Sequence, residues 1–259
     1  MATYLDAILA AHRAADAADD RSLDLVVERA RRVPPARDFA AALASDGLSV
    51  IAEVKRRSPS KGALDPDLVA GLLAKRYATG GAAAVSVLTD AEFFGGSAAD
   101  LVEARSAIDL PVLRKDFTVS ALDVADARFM GADAVLLIVA ALDDDELRHL
   151  HDLAYDLGLA VLVETHDESE VARAVAAGAR IVGVNQRDLT SFTVDTDRAV
   201  RVAAAIPDGV VKVAESGIAG PDDARRLAEA GYDAILVGEH LVTSGDPAKA
   251  LEALVRACS

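Results

Sequence analysis

Glu53 and Lys55 stand two residues apart at the end of a run, Leu48 to Val54, that is apolar except for Ser49 and Glu53. Residues of one parity along a strand share a face, so this carboxylate and this ammonium lie side by side. Charges at the edge of an apolar wall are costly unless paired and used, and the pair therefore points to a site. The chain then turns polar and basic through Lys55-Arg-Arg-Ser58-Pro-Ser-Lys-Gly62, which is turn chemistry.

Other apolar runs end in the same manner, at Thr89-Asp90, Lys115-Asp116, Glu164, Asn185 with Arg187, Glu215-Ser216-Gly217 and Gly238. Any one of these charges alone reads as a solvated group at a loop start. Two lysines and three glutamates at the ends of apolar runs read differently. They are proton donors and acceptors set around one apolar-walled mouth, the equipment of general acid–base chemistry. Lys212 lies inside a run with apolar neighbours, and a salt bridge to a neighbouring strand is its expected use.

A second chemistry overlaps the first. Glu215-Ser-Gly-Ile-Ala-Gly220 precedes one helical segment and Val237-Gly238 opens another. Glycine lets backbone N–H groups approach an anion closely, and a helix start favours negative charge. Gly217, Gly238 and the residue after it, Glu239, are thus placed to hold a phosphate, with the Lys55 ammonium and Ser58 hydroxyl beside them.

The elements that must position these groups form a repeat. Ala78-Thr-Gly-Gly-Ala-Ala-Ala-Val-Ser-Val, Phe129-Met-Gly-Ala-Asp-Ala-Val-Leu-Leu, Ala177-Gly-Ala-Arg-Ile-Val-Gly-Val and Ala230-Gly-Tyr-Asp-Ala-Ile-Leu-Val are four copies of one phrase. Between them lie strands at Val112 to Arg114, Ala160 to Val163 and Val210 to Ala214. With the opening strand these make eight strand–helix units. Alternating strand and helix predicts a parallel sheet, and eight units in 259 residues predict an α/β fold, a (β/α)8 barrel. An open doubly wound sheet fits less well, because no dinucleotide glycine fingerprint follows the first strand. Residues 1–47 read as a helical extension, with Leu5, Ile8, Leu9 and His12 at helical spacing, a second run over Leu23 to Arg32, and a third from Asp38 to Leu43. The whole chain, 1–259, reads as one barrel domain that includes this extension.

Composition narrows the partners. A net charge of -15 argues against nucleic acid, so a local basic cluster calls for a small anionic ligand. The apolar runs are too short to span a bilayer, and the start, Met1-Ala-Thr-Tyr-Leu-Asp6, lacks a secretory pattern. The one cysteine, Cys258, can form no intramolecular disulfide or cysteine metal cluster. A cytoplasmic protein is expected, with no membrane partner, and nothing demands more than a monomer or a weak homo-oligomer.

Ile51-Ala-Glu-Val-Lys-Arg-Arg-Ser-Pro-Ser-Lys-Gly62, Ser86-Val-Leu-Thr-Asp90 with Phe93-Phe-Gly-Gly-Ser97, Leu113-Arg-Lys-Asp-Phe117, Val163-Glu-Thr-His166, Gly183-Val-Asn-Gln-Arg-Asp-Leu189 and Ala214-Glu-Ser-Gly-Ile218 resemble, in order, the signature segments of indole-3-glycerol phosphate synthases. The preamble resembles that family's N-terminal extension, which packs over the barrel mouth. The resemblance implies a decarboxylating carbon–carbon lyase of tryptophan biosynthesis. It closes the ring of 1-(2-carboxyphenylamino)-1-deoxyribulose 5-phosphate to indole-3-glycerol phosphate, losing carbon dioxide and water.

What the resemblance implies for the residues is specific. Lys115 matches the general acid at the ketone oxygen and Glu164 the base, with Lys55 a second acid and a phosphate or carboxylate partner. Glu53 and Glu215 stabilise the cationic intermediate or the lysines. Asn185 hydrogen-bonds a substrate hydroxyl, Arg187 orients Glu164 or the substrate carboxylate, and Ser216 contacts substrate. Phe94, Phe117, Leu136 and Leu189 form the slot for the aromatic ring. The iminium formed on closure is itself the electron sink for decarboxylation, so no metal and no organic cofactor is expected. Neighbouring lysines lower each other's pKa and glutamates raise it, and the sequence leaves that balance open. One departure is Glu239, where many members carry serine; its carboxylate is expected to turn away and only its backbone N–H to serve. The alternatives are another phosphate-binding barrel, such as phosphoribosylanthranilate isomerase, or a non-catalytic phosphate-ligand-binding barrel. The first has no expected use for paired lysines, the second none for Lys115 and Glu164.

Overall fold

A computed structural model describes residues 3–44, 47–58, 61–188, 190 and 192–257. Its centre is a closed barrel of eight parallel strands: β1 (Ser49–Val54), β2 (Ala84–Leu88), β3 (Val112–Lys115), β4 (Ala134–Ile138), β5 (Ala160–Thr165), β6 (Ile181–Asn185), β7 (Val211–Glu215) and β8 (Ala234–Val237). Each strand bonds to its neighbours in sequence, and β8 closes on β1. Most strand residues are buried, as expected where barrel packing covers one face and helices the other. The register sets the charged residues at one end. Leu88 pairs with Lys115, Glu164 with Gly183, and Asn185 with Glu215.

Helices α4 (Ala70–Thr79), α5 (Ala98–Ala107), α6 (Ala121–Phe129), α7 (Asp144–Asp156), α8 (Glu168–Ala176), α9 (Arg198–Val202), α10 (Pro221–Glu229), α11 (Glu239–Val242) and α12 (Pro247–Arg256) complete the units; the extension supplies α1 (Tyr4–Ala17), α2 (Leu23–Arg31) and α3 (Phe39–Leu43). Gly178 and Gly231 of the repeated phrase take φ 93° and 86° just past their helices. Only glycine enters this left-handed region at no cost, which is why it recurs there. The sixth unit has the short helix α9 after a long loop, and the first loop carries a two-stranded ribbon of Arg57–Ser58 and Gly62–Ala63.

The extension does more than cover the mouth. Only α1, started by a capping box of Thr3 with Asp6, lies there. It touches the ends of several units: Tyr4 packs on Phe93 and Phe192 with ring centroids 5.7 and 4.8 Å apart, and Arg13 bonds Glu146 and the Ala141 carbonyl. Helix α2 packs on α6, while α3 buries Phe39 and Leu43 against β1 and β2. At the opposite end of the barrel, the Arg37 N–H donates to Asp133, which precedes β4. The extension thus clasps the barrel from mouth to base. Lys212 makes no ion pair among the described residues; its Nζ donates to the Ala203 carbonyl at 3.4 Å.

Candidate active site

A cavity of about 580 Å³ opens at the C-terminal ends of the strands. The acid–base candidates Glu53, Lys55, Lys115, Glu164, Asn185 and Glu215 all line it. So do the slot candidates Phe94, Phe117 and Leu136, and the anion candidates Ser58, Arg187, Ser216, Gly217, Gly238 and Glu239. Leu189 lies outside the described residues.

Lys115 is the hub. Its Nζ donates to Glu164 Oε2 at 2.8 Å and lies 3.3 Å from Glu215 Oε2. Burial works against the ammonium, but the carboxylates of Glu164, Glu215 and Glu53 outweigh it and hold the Lys115 pKa well above the usual lysine value. The two buried glutamates are driven apart. Burial opposes the charge of Glu164, yet Lys115, His166 and the Asn185 hydrogen bond hold it below the usual carboxylate value. Burial pushes Glu215 up to about 7, with Glu164 and Glu53 adding and Lys115 opposing. Of the pair, Glu164 is thus the more acidic and Glu215 the more readily protonated.

Two glycines make room for these carboxylates. A Cβ on Gly183 would lie 2.1 Å from Glu215 Oε1, and one on Gly238 would lie 2.2 Å from Glu53 Oε2. Glu53 ion-pairs with Lys55, and its backbone carbonyl accepts from the buried Tyr77 hydroxyl at 2.9 Å, which anchors the end of β1.

The family model for indole-3-glycerol phosphate synthase matches residues 5–254. The chain belongs to this family. It is 58% identical over 215 residues to the indole-3-glycerol phosphate synthase of Nocardioides sp., covering 83% of each chain. It is 53% identical to that of Streptomyces griseus subsp. griseus, over 91% of this chain and 88% of the relative, and 49% identical to that of Rhodococcus opacus, over 98% and 96%. Among solved structures, the barrel is similar to 3-hexulose-6-phosphate synthase, with TM-score 0.66, 17% identity, and 82% and 100% of the chains covered. It is also similar to thiamine phosphate pyrophosphorylase from Pyrococcus furiosus, with TM-score 0.62, 20% identity, and 81% and 95% covered. At those identities the likeness concerns the fold.

Within this synthase site, several side chains take partners other than those expected. Asn185 is held by protein on two sides: Nδ2 donates one of its two N–H groups to Glu164 Oε1 at 3.0 Å, and Oδ1 accepts from the Arg187 N–H at 3.0 Å. Asn185, rather than Arg187, therefore orients Glu164. The Arg187 guanidinium donates to the Phe192 carbonyl and lies 3.9 Å from Glu239 Oε2. The Glu239 carboxylate does not turn away from the cavity. It lines it between Arg187 and Lys61, whose Nζ is 3.5 Å away. In the seventh loop, Ser216 and Gly217 both adopt positive φ, 67° and 73°, and Gln186 Nε2 pins the Ser216 carbonyl at 2.7 Å. A non-glycine residue held there is a small store of strain at the site.

The rim carries a network to which residue spacing assigned no role. His12 Nε2 lies 2.9 Å from Asp90 Oδ2 and 3.9 Å from Asp116 Oδ1. Asp116 also accepts from Thr89 and from Arg114 Nη2, the latter at 2.9 Å. The His12 ring packs on Phe117, centroids 5.6 Å apart, and Phe117 on Phe94 at 6.1 Å. Helix α1 thus supports the aromatic wall. His12, Asp90 and Asp116 are metal-ligand types within mutual reach, but Arg114 already supplies positive charge there. The signal in the sequence was a polar residue, His12, four positions after Ile8 on the apolar face of α1.

Proposed function

We propose that the chain closes the indole ring of 1-(2-carboxyphenylamino)-1-deoxyribulose 5-phosphate, the activity of the family to which it belongs, with Lys115 and Glu164 as the central acid and base. The observation that carries the assignment is Lys115 Nζ held against two buried carboxylates of opposite pKa tendency in one cavity. The ring carbon bearing the carboxylate attacks the ketone, and the Lys115 ammonium protonates the oxygen as it becomes an alkoxide. The ring nitrogen is then an iminium, which accepts the electron pair released with carbon dioxide. Glu53 and Glu164 face that cation with preorganised negative charge, and Glu215, with its pKa at about 7, adds to it when ionised. Loss of water follows, with Glu164 taking the proton from carbon and Lys55 protonating the leaving hydroxyl.

Phe94, Phe117 and Leu136 hold the aromatic ring. Ser58, Lys55, Ser216 and the N–H groups of Gly217, Gly238 and Glu239 hold the phosphate. Each reacting charge is met by a side chain, so neither metal nor organic cofactor is invoked. The net charge of -15 argues against nucleic acid as a partner. No helix among the described residues is long and apolar enough to cross a membrane. A single barrel domain acting in the cytoplasm, as a monomer or weak oligomer, fits this role. The test is a fluorescence assay with the carboxyphenylamino substrate, because the indole product emits differently; purified protein that leaves the substrate unchanged refutes the assignment.

A further inference from the structure

His166 opens the loop after β5, two residues after Glu164, and the reaction gives it no task. Its Nδ1 lies 3.0 Å from Glu170 Oε2, and the same oxygen accepts its backbone N–H at 2.7 Å. Its Nε2 is buried, has no hydrogen-bond partner, and lies 3.9 Å from Glu164 Oε1. A buried, unpartnered ring nitrogen is costly. Glu164 lines the first cavity, whereas His166 and Glu170 line a second, of about 420 Å³. The imidazole therefore bridges the two carboxylates, one facing each cavity. The charged groups around it are Glu164 on β5, Asp167 and Glu170 at the start of α8, and Arg198 on α9.

Proton balance supplies the need. The substrate carboxylate leaves as neutral carbon dioxide, so each turnover consumes one proton. Lys115 and Lys55 each give one and Glu164 recovers one, which leaves a deficit of one to be met from solvent. We propose that His166 is a positioning residue that relays this proton inward, from Glu170 and the second cavity to Glu164 and so to Lys115. Glu170 protonates Nδ1 as the Nε2–H bond breaks and the proton passes to Glu164 Oε1. Rotation of the ring then returns an N–H to the Glu164 side. The 3.9 Å separation exceeds hydrogen-bond reach by about 1 Å, and such contacts tighten when ligand closes a site. The carboxylates on both sides outweigh burial and Arg198 and raise the His166 pKa, which keeps a proton available there.

This rests on Glu164 being the base, and the experiment separates the two readings. Steady-state turnover is measured for the full chain and for His166→Gln, Glu170→Gln and Glu164→Gln, across pH and across imidazole buffer concentration. His166→Gln is expected to lower kcat roughly tenfold, below the full loss of a positioned acid or base, with KM held within about twofold. Its kcat should rise with imidazole concentration, while that of the unaltered chain should not. Glu170→Gln, which keeps the ring, should show the same buffer dependence and serves where His166→Gln does not fold. Parent-like kcat without buffer dependence in either folded variant overturns the relay while Glu164→Gln remains inactive. Turnover retained by Glu164→Gln overturns the base assignment and the relay with it.

Discussion

Lys115 Nζ and Glu164 Oε2 stand 2.8 Å apart, so the proposed acid and the proposed base are bonded to each other before substrate arrives. The pairing keeps one charged and the other ionised in a buried place where each alone would neutralise. It also means that substrate must insert its ketone oxygen where Lys115 now meets carboxylate. Catalysis then uses interactions already oriented by Asn185 rather than formed on demand.

Lys115→Ala is expected to lower turnover by about two to four orders of magnitude, the scale for losing a positioned acid. Stability should also change, in a pH-dependent way. Without the ammonium, the buried Glu164 loses its main stabilising charge and its folded-state pKa rises above the unfolded value. The folded state then binds more protons than the unfolded state above that value, so stability falls as pH rises. Denaturant titrations at pH 5 and pH 8 check this: the variant should be close to the parent at pH 5 and weaker by roughly 3 kcal/mol at pH 8. Turnover near that of the parent would falsify the acid assignment.

The His12–Asp90 contact gives a second pH response, confined to α1. The Asp90 hydrogen bond outweighs burial and raises the His12 pKa above its ordinary 6.5. The extra stability is fully present below that value and is lost as pH rises through the folded-state pKa. Asp90 behaves oppositely. Burial resists its charge, but His12 and the Phe93 and Phe94 N–H groups keep its pKa low, so its contribution fades only in acid. Protection factors in α1, with the exchange rates corrected for their intrinsic rise with pH, should therefore be higher at pH 6 than at pH 8.5, and His12→Gln should abolish the difference. An equal change in α1 of the variant rules the clasp out.

The strand ends were readable because apolar runs, closing glycines and charges recur in one order. That pattern placed Lys115, Glu164 and Glu215 around one mouth. Which partner each side chain takes was not readable, because it depends on register between strands. Asn185 meets Glu164, and Gly183 leaves the space that Glu215 fills, only because β5, β6 and β7 are staggered as they are. His12 was seen as a helix residue, but its partner Asp90 lies 78 positions away in the chain. A mouth cover describes α1 alone: Arg37, just before α3, bonds Asp133, and the Ala42 carbonyl in α3 accepts from Ser49, both at the base of the barrel.

Glu239 competes with the ligand for charge. Its carboxylate lies 3.5 Å from Lys61 Nζ and 3.9 Å from Arg187 Nη2, beside the proposed phosphate site. Glu239→Gln removes the negative charge and leaves the backbone N–H in place. Inorganic phosphate, measured as a competitive inhibitor, should then bind about twofold to fivefold more tightly, the scale of one half-exposed ion pair, with kcat nearly unchanged. The gain should shrink at high salt. Weaker phosphate binding would show instead that Glu239 organises the cations.

Gly183→Ala tests whether position, rather than presence, of Glu215 matters. The added methyl would lie 2.1 Å from Glu215 Oε1 and 3.3 Å from Leu162 Cδ1, so the carboxylate at the end of a flexible side chain is what gives way. The barrel loses little, since no backbone atom lies that close. Lys115, however, loses its 3.3 Å contact with Glu215 and leans further on Glu164. A shift of about 1 Å in a positioned group costs roughly two orders of magnitude in rate, whereas Tm should fall by about 5 °C or less. Both are read from one preparation, by turnover and by calorimetry. A large fall in Tm with turnover preserved in the folded fraction would mean that Gly183 serves packing and not the placement of Glu215.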